Sequence, residues 1–341
     1  MTKRTGMGEE AGPTLGRILI TGGAGFIGSH LAELLIGKGG EVVVLDDLST
    51  GREENLSAAL ETGRLELVIG STDDLGLVDR CMAGADLCVH LGSAVGVKLV
   101  MEQPLKTLLS NVRGADAVLA SAARHRRRVM IASSSEVYGK DSRGPLREDS
   151  DRNLGPISVT RWGYANAKAF AEFAANAYAA EGAADTVVFR LFNTTGPRQL
   201  GAYGMVLPRF VEQALNSRPL TVYGDGGQRR CFLHVADAVD AIAALAGEPA
   251  ARGNTFNIGS SQEISIRELA ALVIERSGSS SRIEYQPFEE AYGEGFEELG
   301  RRIPNTAALQ SLTSWKPQRS LEDIVDDAIV YERSRTAGVA V

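Results

Sequence analysis

The chain alternates short apolar runs with longer amphipathic stretches from residue 17 to about residue 192. The apolar runs are rich in Val, Ile and Leu, which is typical of strands buried on both faces of a sheet. They are RILIT, EVVVLD, LELVIG, DLCVHL, RVMIAS and DTVVFRLF, and helical periodicity is clearest over 26–38, 106–123 and 163–181. Because crossover helices join parallel strands and cover the sheet, the pattern predicts an α/β fold with a Rossmann-type doubly wound parallel sheet.

Beyond residue 192 the regular alternation ends, and connections rich in Gly and Pro become frequent. Short strands are predicted over 220–224 and 254–259, with helices over 205–216, 235–247, 266–277 and 321–334. These elements predict a smaller C-terminal α/β region that binds substrate, over 193–341. It follows a Rossmann domain over 16–192, to which some later segments return. Residues 1–15 are expected to form a flexible tail.

The composition is that of a folded globular protein. With 341 residues and 44% hydrophobic content, the chain can bury a sizeable core. Its 36 basic and 43 acidic residues give a formal charge of −7 and are mostly interspersed, so no partner nucleic acid is expected. The basic run RHRRR, over 124–128, is interpreted as a solvated helix end, with a phosphate or partner patch as the alternative.

The three cysteines, Cys81, Cys88 and Cys231, show neither CxxC pairing nor metal-ligand spacing. An odd number without such spacing argues against a disulfide framework or a zinc site, so we predict no metal and a reducing, cytoplasmic location. The N-terminal stretch has no apolar signal core, and no run approaches the roughly 18 apolar residues that a membrane span needs. No membrane association is therefore expected.

A glycine triplet lies between the first predicted strand and the first predicted helix. In RILITGGAGFIGSH it comprises Gly22, Gly25 and Gly28. Glycines permit a tight turn and let the backbone approach a pyrophosphate, while the helix N-terminus offers free N–H groups and a positive dipole. A tight strand–helix turn without a ligand is the alternative interpretation.

An aspartate at the end of the second predicted strand supports a dinucleotide as the ligand of the glycine loop. Asp46 closes EVVVLD, 18 positions beyond Gly28. An acid there can accept hydrogen bonds from a ribose 2′-hydroxyl and repels a 2′-phosphate. The combination predicts NAD rather than NADP, and it makes 16–192 an NAD-binding domain. The adjacent Asp47 is interpreted as a turn residue.

A tyrosine and a lysine share one face of the helix predicted over 163–181. In WGYANAK, Tyr164 and Lys168 are four positions apart. A phenol titrates near 10, but a lysine ammonium and a nicotinamide cation beside it would favour the phenolate. Tyr164 could then remove a hydroxyl proton while hydride leaves to NAD. Without the glycine loop, the same pattern fits an ordinary amphipathic helix.

Four motifs in order, TGGAGFIGSH, SSSEVYG, YANAK and FNTTGPR, resemble the extended short-chain dehydrogenase/reductases of the NAD-dependent epimerase/dehydratase family, which act on nucleotide sugars. The resemblance spans about residues 17–334. It implies NAD as the cofactor and a UDP- or dTDP-linked sugar as the substrate. It also implies a homodimer formed through a four-helix bundle of the helices at 106–123 and 163–181.

The resemblance implies roles for individual residues around the sugar C4 hydroxyl and the cofactor. Ser134, four residues before Tyr138 of the VYG motif, would hydrogen-bond that hydroxyl, with Tyr164 as the base and Lys168 as its partner. Tyr138 itself is interpreted as a packing residue. Further cofactor contacts are expected from Phe26, Ile27 and Leu91.

Substrate contacts are implied in the same way. Asn193 would contact the diphosphate and Arg230 would clamp it, for which a guanidinium fork is suited. The remaining candidates are Ser135, Val206, Arg209, Thr221, Tyr223, Tyr292 and Arg302. Two departures stand out: Ser71 and Thr72 replace the usual acid that reaches the adenine, and Gly92 and Ser93 replace two alanines, which we interpret as a small-residue change.

Glu136 and Arg302 bear on which reaction is catalysed. Simple 4-epimerases often have a small or hydroxyl residue where this chain has Glu136, whereas 4,6-dehydratases and UDP-glucuronate decarboxylases have glutamate. TRWGYANAK and AYGEGFEELGRRIPN are similar to UDP-glucuronate decarboxylases and UDP-apiose/xylose synthases, in which the equivalent of Arg302 lies by the sugar carboxylate. The alternative is that Arg302 only pairs with a phosphate or with Glu297.

The favoured hypothesis is therefore an NAD-dependent UDP-glucuronate decarboxylase, which oxidises C4, loses CO₂ and yields UDP-xylose or its 4-keto form. The alternative is a UDP-sugar 4-epimerase acting on UDP-glucose or UDP-glucuronate. A 4,6-dehydratase and a non-catalytic NAD-binding scaffold are further alternatives.

Overall fold

The protein is described by a computed structural model over residues 16–141, 144–201, 204–292 and 299–338, without the side chains of Val97, Lys98 and Tyr292. Its strands are β1 (Arg17–Thr21), β2 (Glu41–Asp46), β3 (Leu65–Ile69), β4 (Leu87–His90), β5 (Arg128–Ser134), β6 (Asp185–Leu191), β7 (Thr194–Thr195), β8 (Leu220–Tyr223), β9 (Arg229–Cys231), β10 (Leu233–His234), β11 (Thr255–Ile258), β12 (Glu263–Ser265), β13 (Ile283–Gln286) and β14 (Arg301–Arg302).

The helices follow the predicted alternation closely. They are α1 (Phe26–Gly37), α2 (Ser57–Glu61), α3 (Leu75–Ala83), α4 (Val97–Glu102), α5 (Pro104–His125), α6 (Arg161–Ala180), α7 (Val206–Leu215), α8 (Val235–Ala246), α9 (Ile266–Ser277), α10 (Phe288–Tyr292), α11 (Ala307–Thr313) and α12 (Leu321–Thr336). Helices α2, α3, α4, α10 and α11 are short elements that the periodicity did not predict.

A seven-stranded parallel sheet forms the centre of the larger unit, in the order β11-β6-β5-β4-β1-β2-β3. Successive residues of β1 show why the runs are apolar throughout. Ile18 and Ile20 pack on one face with residues of α1 and α8, while Leu19 packs on the other face with residues of α3, α5 and α6. Both faces are covered, which confirms the predicted doubly wound fold.

A second hydrophobic core lies in the C-terminal part of the chain. It joins α7, α9 and α12 with β8. Helix α8 and strand β11 do not belong to this core, although the sequence pattern groups 235–247 and 254–259 with the smaller region. Strand β11 pairs in parallel with β6, with Thr255 opposite Val188 and Ile258 opposite Leu191. These are the later segments that return to the large sheet.

The basic run at 124–128 ends α5 and binds neighbouring elements. Arg124 and His125 contact Asp79, and Arg128 donates to the carbonyl oxygens of Leu245 and Glu248 at the end of α8. Its role here is to satisfy helix C-termini and pair with an acid. Within the described ranges, no helix is long and apolar enough to cross a membrane, and no cluster of metal-binding side chains is found.

Candidate active site

Two adjoining cavities open at the carboxyl ends of the parallel strands, where ligands of this sheet type bind. The glycine-rich cavity contains nine of the predicted residues: Gly22, Gly25, Phe26, Ile27, Gly28, Asp46, Leu91, Tyr164 and Lys168. The arginine-rich cavity contains twelve: Phe26, Ile27, Ser134, Ser135, Glu136, Tyr164, Asn193, Val206, Arg209, Tyr223, Arg230 and Arg302. Tyr164 lines both cavities, so it lies where a ligand of one meets a ligand of the other.

The glycine loop is packed so tightly that side chains would not fit. Gly22 has a φ of +70°, and a Cβ there would lie 2.6 Å from the backbone nitrogen of Gly92. A Cβ on Gly28 would lie 2.3 Å from the carbonyl oxygen of Gly22. Helix α1 has no side-chain cap at Gly25. Its first-turn N–H groups are therefore available to an anion such as a pyrophosphate.

Asp46 is buried at the end of β2 and is held by backbone N–H groups. Its Oδ2 accepts from Ala24 N, and its Oδ1 accepts from Leu48 N, each at 2.9 Å. Burial raises the pKa of Asp46, and these two hydrogen bonds partly oppose that effect. Each oxygen keeps lone-pair capacity for a ribose hydroxyl. The loop, the uncapped helix and this carboxylate together fit NAD.

Lys168 lies behind Tyr164 on α6. Its Nζ donates to the carbonyl oxygen of Ala132 at 2.8 Å and lies 6.0 Å from the centroid of the Tyr164 ring. Burial lowers the pKa of Lys168 to about 8, although the nearby charge of Glu172 opposes this shift. The side chain is thus still mainly a cation at neutral pH.

The phenol of Tyr164 is held protonated in the protein alone. Burial raises its pKa, and the negative charge of Glu136 raises it further. Hydrogen bonding from the hydroxyls of Ser93 and Ser134 acts in the opposite direction but is outweighed. The predicted shift toward phenolate is therefore not a property of this polypeptide by itself, because burial and the charge of Glu136 together outweigh the hydroxyls.

The serines that end β5 point in different directions. Ser133 donates to Glu172, which itself pairs with Arg190 at 2.6 Å. Ser134 caps the turn Ser135–Tyr138, and its Oγ accepts from Glu136 N at 3.3 Å. Only Ser134 faces Tyr164, whereas Ser133 stabilises the layer behind it.

Tyr138 lies in that same layer. Its hydroxyl donates to Asn257 Oδ1 at 2.7 Å and accepts from Arg190 Nη1 at 2.8 Å, and it is fully buried. Burial raises its pKa to about 12, with Arg190 opposing the shift. These contacts are those of the packing residue that the sequence suggested.

Glu136 lies between two buried arginines in the arginine-rich cavity. Arg302 donates from Nη2 to Glu136 Oε1 at 2.8 Å and from Nη1 to Ser135 Oγ at 3.1 Å. Arg161 lies on the other side, with Nη2 at 3.4 Å from both carboxylate oxygens. Burial alone would raise the pKa of Glu136, but the charges of Arg302 and Arg161 lower it to about 2. The three side chains carry a net charge of one positive unit.

The rest of the arginine-rich cavity holds groups suited to a nucleotide diphosphate. The guanidinium of Arg209 stacks on the ring of Tyr223 at 4.2 Å. Arg230 is anchored by a hydrogen bond from its Nη1 to the carbonyl oxygen of Arg229 at 2.8 Å. Asn193 has a φ of +32° and donates to the carbonyl oxygen of Cys231 at 3.2 Å. All four side chains line the same cavity as Glu136.

The predicted substrate contact of Thr221 stays a prediction. Its hydroxyl accepts from Gln213 Nε2 at 3.1 Å, two positions along β8 from Tyr223, and it lines neither of the two cavities. The side chain of Tyr292 and the whole of Glu297 lie outside the described residues.

Sequence reasoning missed two polar residues of the site. Arg161 comes three positions before Tyr164, so it lies on the same side of α6, and this spacing was the available signal. Ser93, interpreted as a small-residue change, also donates to Asn111 Oδ1 at 2.8 Å and acts on Tyr164. Nothing in the local pattern around Ser93 indicated that contact.

Comparisons with known proteins agree with this geometry. Residues 18–259 match the model of the NAD dependent epimerase/dehydratase family. A UDP-N-acetyl-alpha-D-glucosaminuronate decarboxylase from Bacillus cytotoxicus is 39% identical over 93% of this chain and 98% of its own length. UDP-glucuronic acid decarboxylase 1 from Arabidopsis thaliana is 35% identical over 90% of this chain and 67% of its own length. A UDP-glucose 4-epimerase from Thermotoga maritima, solved with UDP-glucose, has a TM-score of 0.84 at 25% identity, covering 94% and 99% of the two chains.

Proposed function

The chain belongs to the NAD-dependent epimerase/dehydratase family, and on that premise we propose that it decarboxylates a UDP-hexuronate after transient oxidation at C4. The observation that carries the proposal is the cluster of Arg302, Glu136 and Arg161 beside Tyr164. A neutral hexose offers nothing to two buried guanidiniums, whereas a C6 carboxylate is their natural partner.

The first half of the reaction is removal of hydrogen from C4. NAD, when bound, supplies the hydride acceptor and later returns the hydride. Ser134 hydrogen-bonds the C4 hydroxyl and Tyr164 takes its proton, so the negative charge that both burial and Glu136 disfavour must be compensated. Lys168 supplies the positive charge from the protein, because it remains a cation at neutral pH.

The second half of the reaction is loss of CO₂. Once C4 is a ketone, the C6 carboxylate belongs to a β-keto acid, whose C5–C6 bond must stand perpendicular to the carbonyl plane before it breaks. The planar fork of Arg302 is positioned by Ser135 and pairs with Glu136 in the protein alone, and it can turn to the substrate carboxylate and hold it in that orientation. The electron pair of the broken bond passes to C5 and the C4 oxygen, and a proton then adds at C5.

The sugar ligand is proposed from the named relatives and from the shape of the cavity. Both decarboxylase relatives act, by their names, on UDP-linked uronates, one of which carries an N-acetyl group. The Arg209–Tyr223 stack and Arg230 would face the nucleotide and its diphosphate. UDP-glucuronate and UDP-N-acetylglucosaminuronate are therefore the two substrates to compare, with dTDP sugars as the lesser option.

A 4-epimerase is the second candidate. Its support is the fold match to a UDP-glucose 4-epimerase, since such an enzyme needs the same C4 oxidation and the same Ser134, Tyr164 and Lys168. It gives no role to Arg161 and Arg302, which is why we favour decarboxylation.

The test is incubation of the purified protein and NAD with UDP-glucuronate, UDP-N-acetylglucosaminuronate, UDP-glucose and dTDP-glucose, followed by mass spectrometry. Decarboxylation predicts a product lighter by one CO₂ from a uronate only. A product lighter by one water would indicate dehydration, and a new isomer of unchanged mass would indicate epimerisation. Tyr164→Phe is the matched control and should give none of these products.

The assembly is proposed to be a homodimer through α5 and α6. Large apolar side chains on these two adjacent helices are exposed: Leu105, Leu109, Phe170 and Phe173. A four-helix bundle with a second copy would bury them. Phe173→Glu should then yield a monomer by light scattering, while Val330→Glu, at an exposed apolar position of α12, should leave the mass unchanged.

A cytoplasmic location completes the proposal. Cys81, Cys88 and Cys231 are free thiols, and burial raises the pKa of both Cys88 and Cys231. Such thiols remain protonated and unreactive in a reducing compartment.

A further inference from the structure

We propose that Glu136 takes up a proton when a uronate substrate binds, because the substrate carboxylate replaces it as the partner of Arg302 and Arg161. This inference rests on the proposed decarboxylase function and adds to it the point at which the proton consumed by the reaction enters the protein.

The stoichiometry of the reaction requires such a proton. Replacing a carboxylate by hydrogen, with release of CO₂, consumes one proton for each turnover. The hydride removed from C4 returns to C4, and the proton that Tyr164 takes from the C4 hydroxyl returns to the reduced oxygen. Neither can supply the hydrogen that ends on C5, so another group must bring it from water.

Glu136 cannot supply it in the free protein. It is ionised down to a pH of about 2, since two guanidiniums neutralise it. Among the described residues, four charged or titratable groups face it: Arg302 from β14, Arg161 and Tyr164 from α6, and Arg230 from β9. Three of the four are cations, and the fourth, Tyr164, is a neutral phenol whose own pKa Glu136 raises.

Binding of a uronate changes that balance. The substrate brings a second carboxylate to the guanidiniums of Arg302 and Arg161, whose side chains are only 5% and 7% exposed. With Arg302 and Arg161 turned to the substrate carboxylate, Glu136 loses the two charges that lower its pKa and has a second carboxylate beside it, and both changes raise its pKa. The substrate carboxylate must stay ionised to leave as CO₂, so the proton goes to Glu136.

The protonated Glu136 then closes the chemical balance. The C5–C6 bond breaks and its electron pair becomes the enolate over C5, C4 and the C4 oxygen. A C5–H bond forms with the proton of Glu136, whose own O–H pair stays on the carboxylate. CO₂ is neutral and no longer competes for the arginines. Glu136 therefore regains Arg302 and Arg161, and the site returns to its starting state.

Isothermal titration calorimetry in buffers of different ionisation enthalpy measures this uptake directly. The NAD-loaded Tyr164→Phe protein is titrated with UDP-glucuronate and, as the carboxylate-free control, with UDP-xylose at pH 7. We expect about one proton taken up per site with UDP-glucuronate and about none with UDP-xylose. Glu136→Gln in the same background should take up none with either ligand.

Two results would overturn the inference: UDP-glucuronate binding with no proton uptake, or uptake that persists in the Glu136→Gln background. Lys168→Met is a second variant expected to turn over slowly, and the titration is repeated in it. The result then does not depend on the folding of one variant. The proposed function is tested separately, by the products of the wild-type protein. Decarboxylation without proton uptake would overturn only this inference, whereas absence of decarboxylation would overturn the function.

Discussion

Asp46 and Glu136 are two carboxylates at the same edge of the same sheet, the first buried and the second 21% exposed, and their surroundings are opposite. Asp46 closes β2 and accepts from two backbone N–H groups, and burial raises its pKa. Glu136 follows β5 and lies between Arg302 and Arg161, whose charges lower its pKa to about 2. Both positions follow from the parallel topology, which brings the carboxyl ends of the strands together.

The difference separates a fixed acceptor from an exchangeable one. Backbone N–H groups cannot move to another partner without unfolding the loop, so Asp46 stays in place for a neutral hydroxyl. The guanidiniums of Arg302 and Arg161 lie at the ends of long side chains, so they can turn from Glu136 to a competing anion. The environment of Glu136 is thus suited to a ligand that carries its own negative charge, and that of Asp46 is suited to one that does not.

The largest expected effect comes from removing the charge of Glu136. Glu136→Gln should lower the decarboxylation rate by roughly 10²- to 10⁴-fold, the usual contribution of a positioned acid or base. Single-turnover assays of CO₂ release measure it. NAD affinity should not change, because Glu136 does not line the glycine-rich cavity.

Any C4 epimerisation detected in the wild-type protein should survive this substitution, since that reaction leaves C5 untouched. If the Glu136→Gln protein decarboxylated at the wild-type rate, Glu136 would have no part in the reaction, and it would be a fixed acceptor like Asp46.

The next effect concerns Arg302, which makes the shorter contact with Glu136. Arg302→Met should weaken UDP-glucuronate binding by roughly 10- to 100-fold, the loss expected for a charge-assisted pair, and leave UDP-xylose binding unchanged. Arg302→Lys retains the charge but loses the fork, so its effect should be intermediate. Equal losses for both ligands would mean that Arg302 serves the nucleotide rather than the carboxylate.

The corresponding change at the other carboxylate is Asp46→Asn. We expect NAD affinity to fall about tenfold and the preference over NADP to narrow, because the charged acceptor is lost and a 2′-phosphate is no longer repelled. Fluorescence titration with NADH and NADPH measures both. Asp47→Asn is the matched control: Asp47 accepts from Ser49 N within its own turn, so its effect should be small.

Local signals in the sequence were sufficient for the cofactor half of the site. The glycine triplet, the end of β2 and the pair Tyr164 and Lys168 each lie within one strand–helix unit. Periodicity and spacing therefore predict them, and the parallel, doubly wound sheet follows from the alternation of strands and helices. Strand β11 and helix α8 were harder, because their contacts with the large sheet come after a loop-rich segment.

The substrate half depended on contacts that spacing cannot reveal. Glu136 and Arg302 are 166 positions apart, and only the family resemblance placed each of them beside the sugar; their ion pair was not predicted. The balance of charge at Tyr164 needed the coordinates as well, since burial and Glu136 together outweigh the serine hydroxyls. The motif position of Thr221 likewise did not indicate that its side chain bonds with Gln213.

The smallest expected effect is a dependence of NAD binding on pH. Because burial raises the pKa of Asp46, its carboxylate begins to protonate at a higher pH than an ordinary aspartate. A protonated Asp46 is a weaker acceptor for a ribose hydroxyl, so NAD affinity should decline as the pH falls from 7.5 toward 5. Glu136 in the free protein stays ionised over this whole range. NADH titrations of the wild-type protein should thus show a modest loss of affinity at acid pH. This loss should disappear in Asp46→Asn and persist in Glu136→Gln. If affinity changed with pH in the same way in all three proteins, Asp46 would not contact the cofactor.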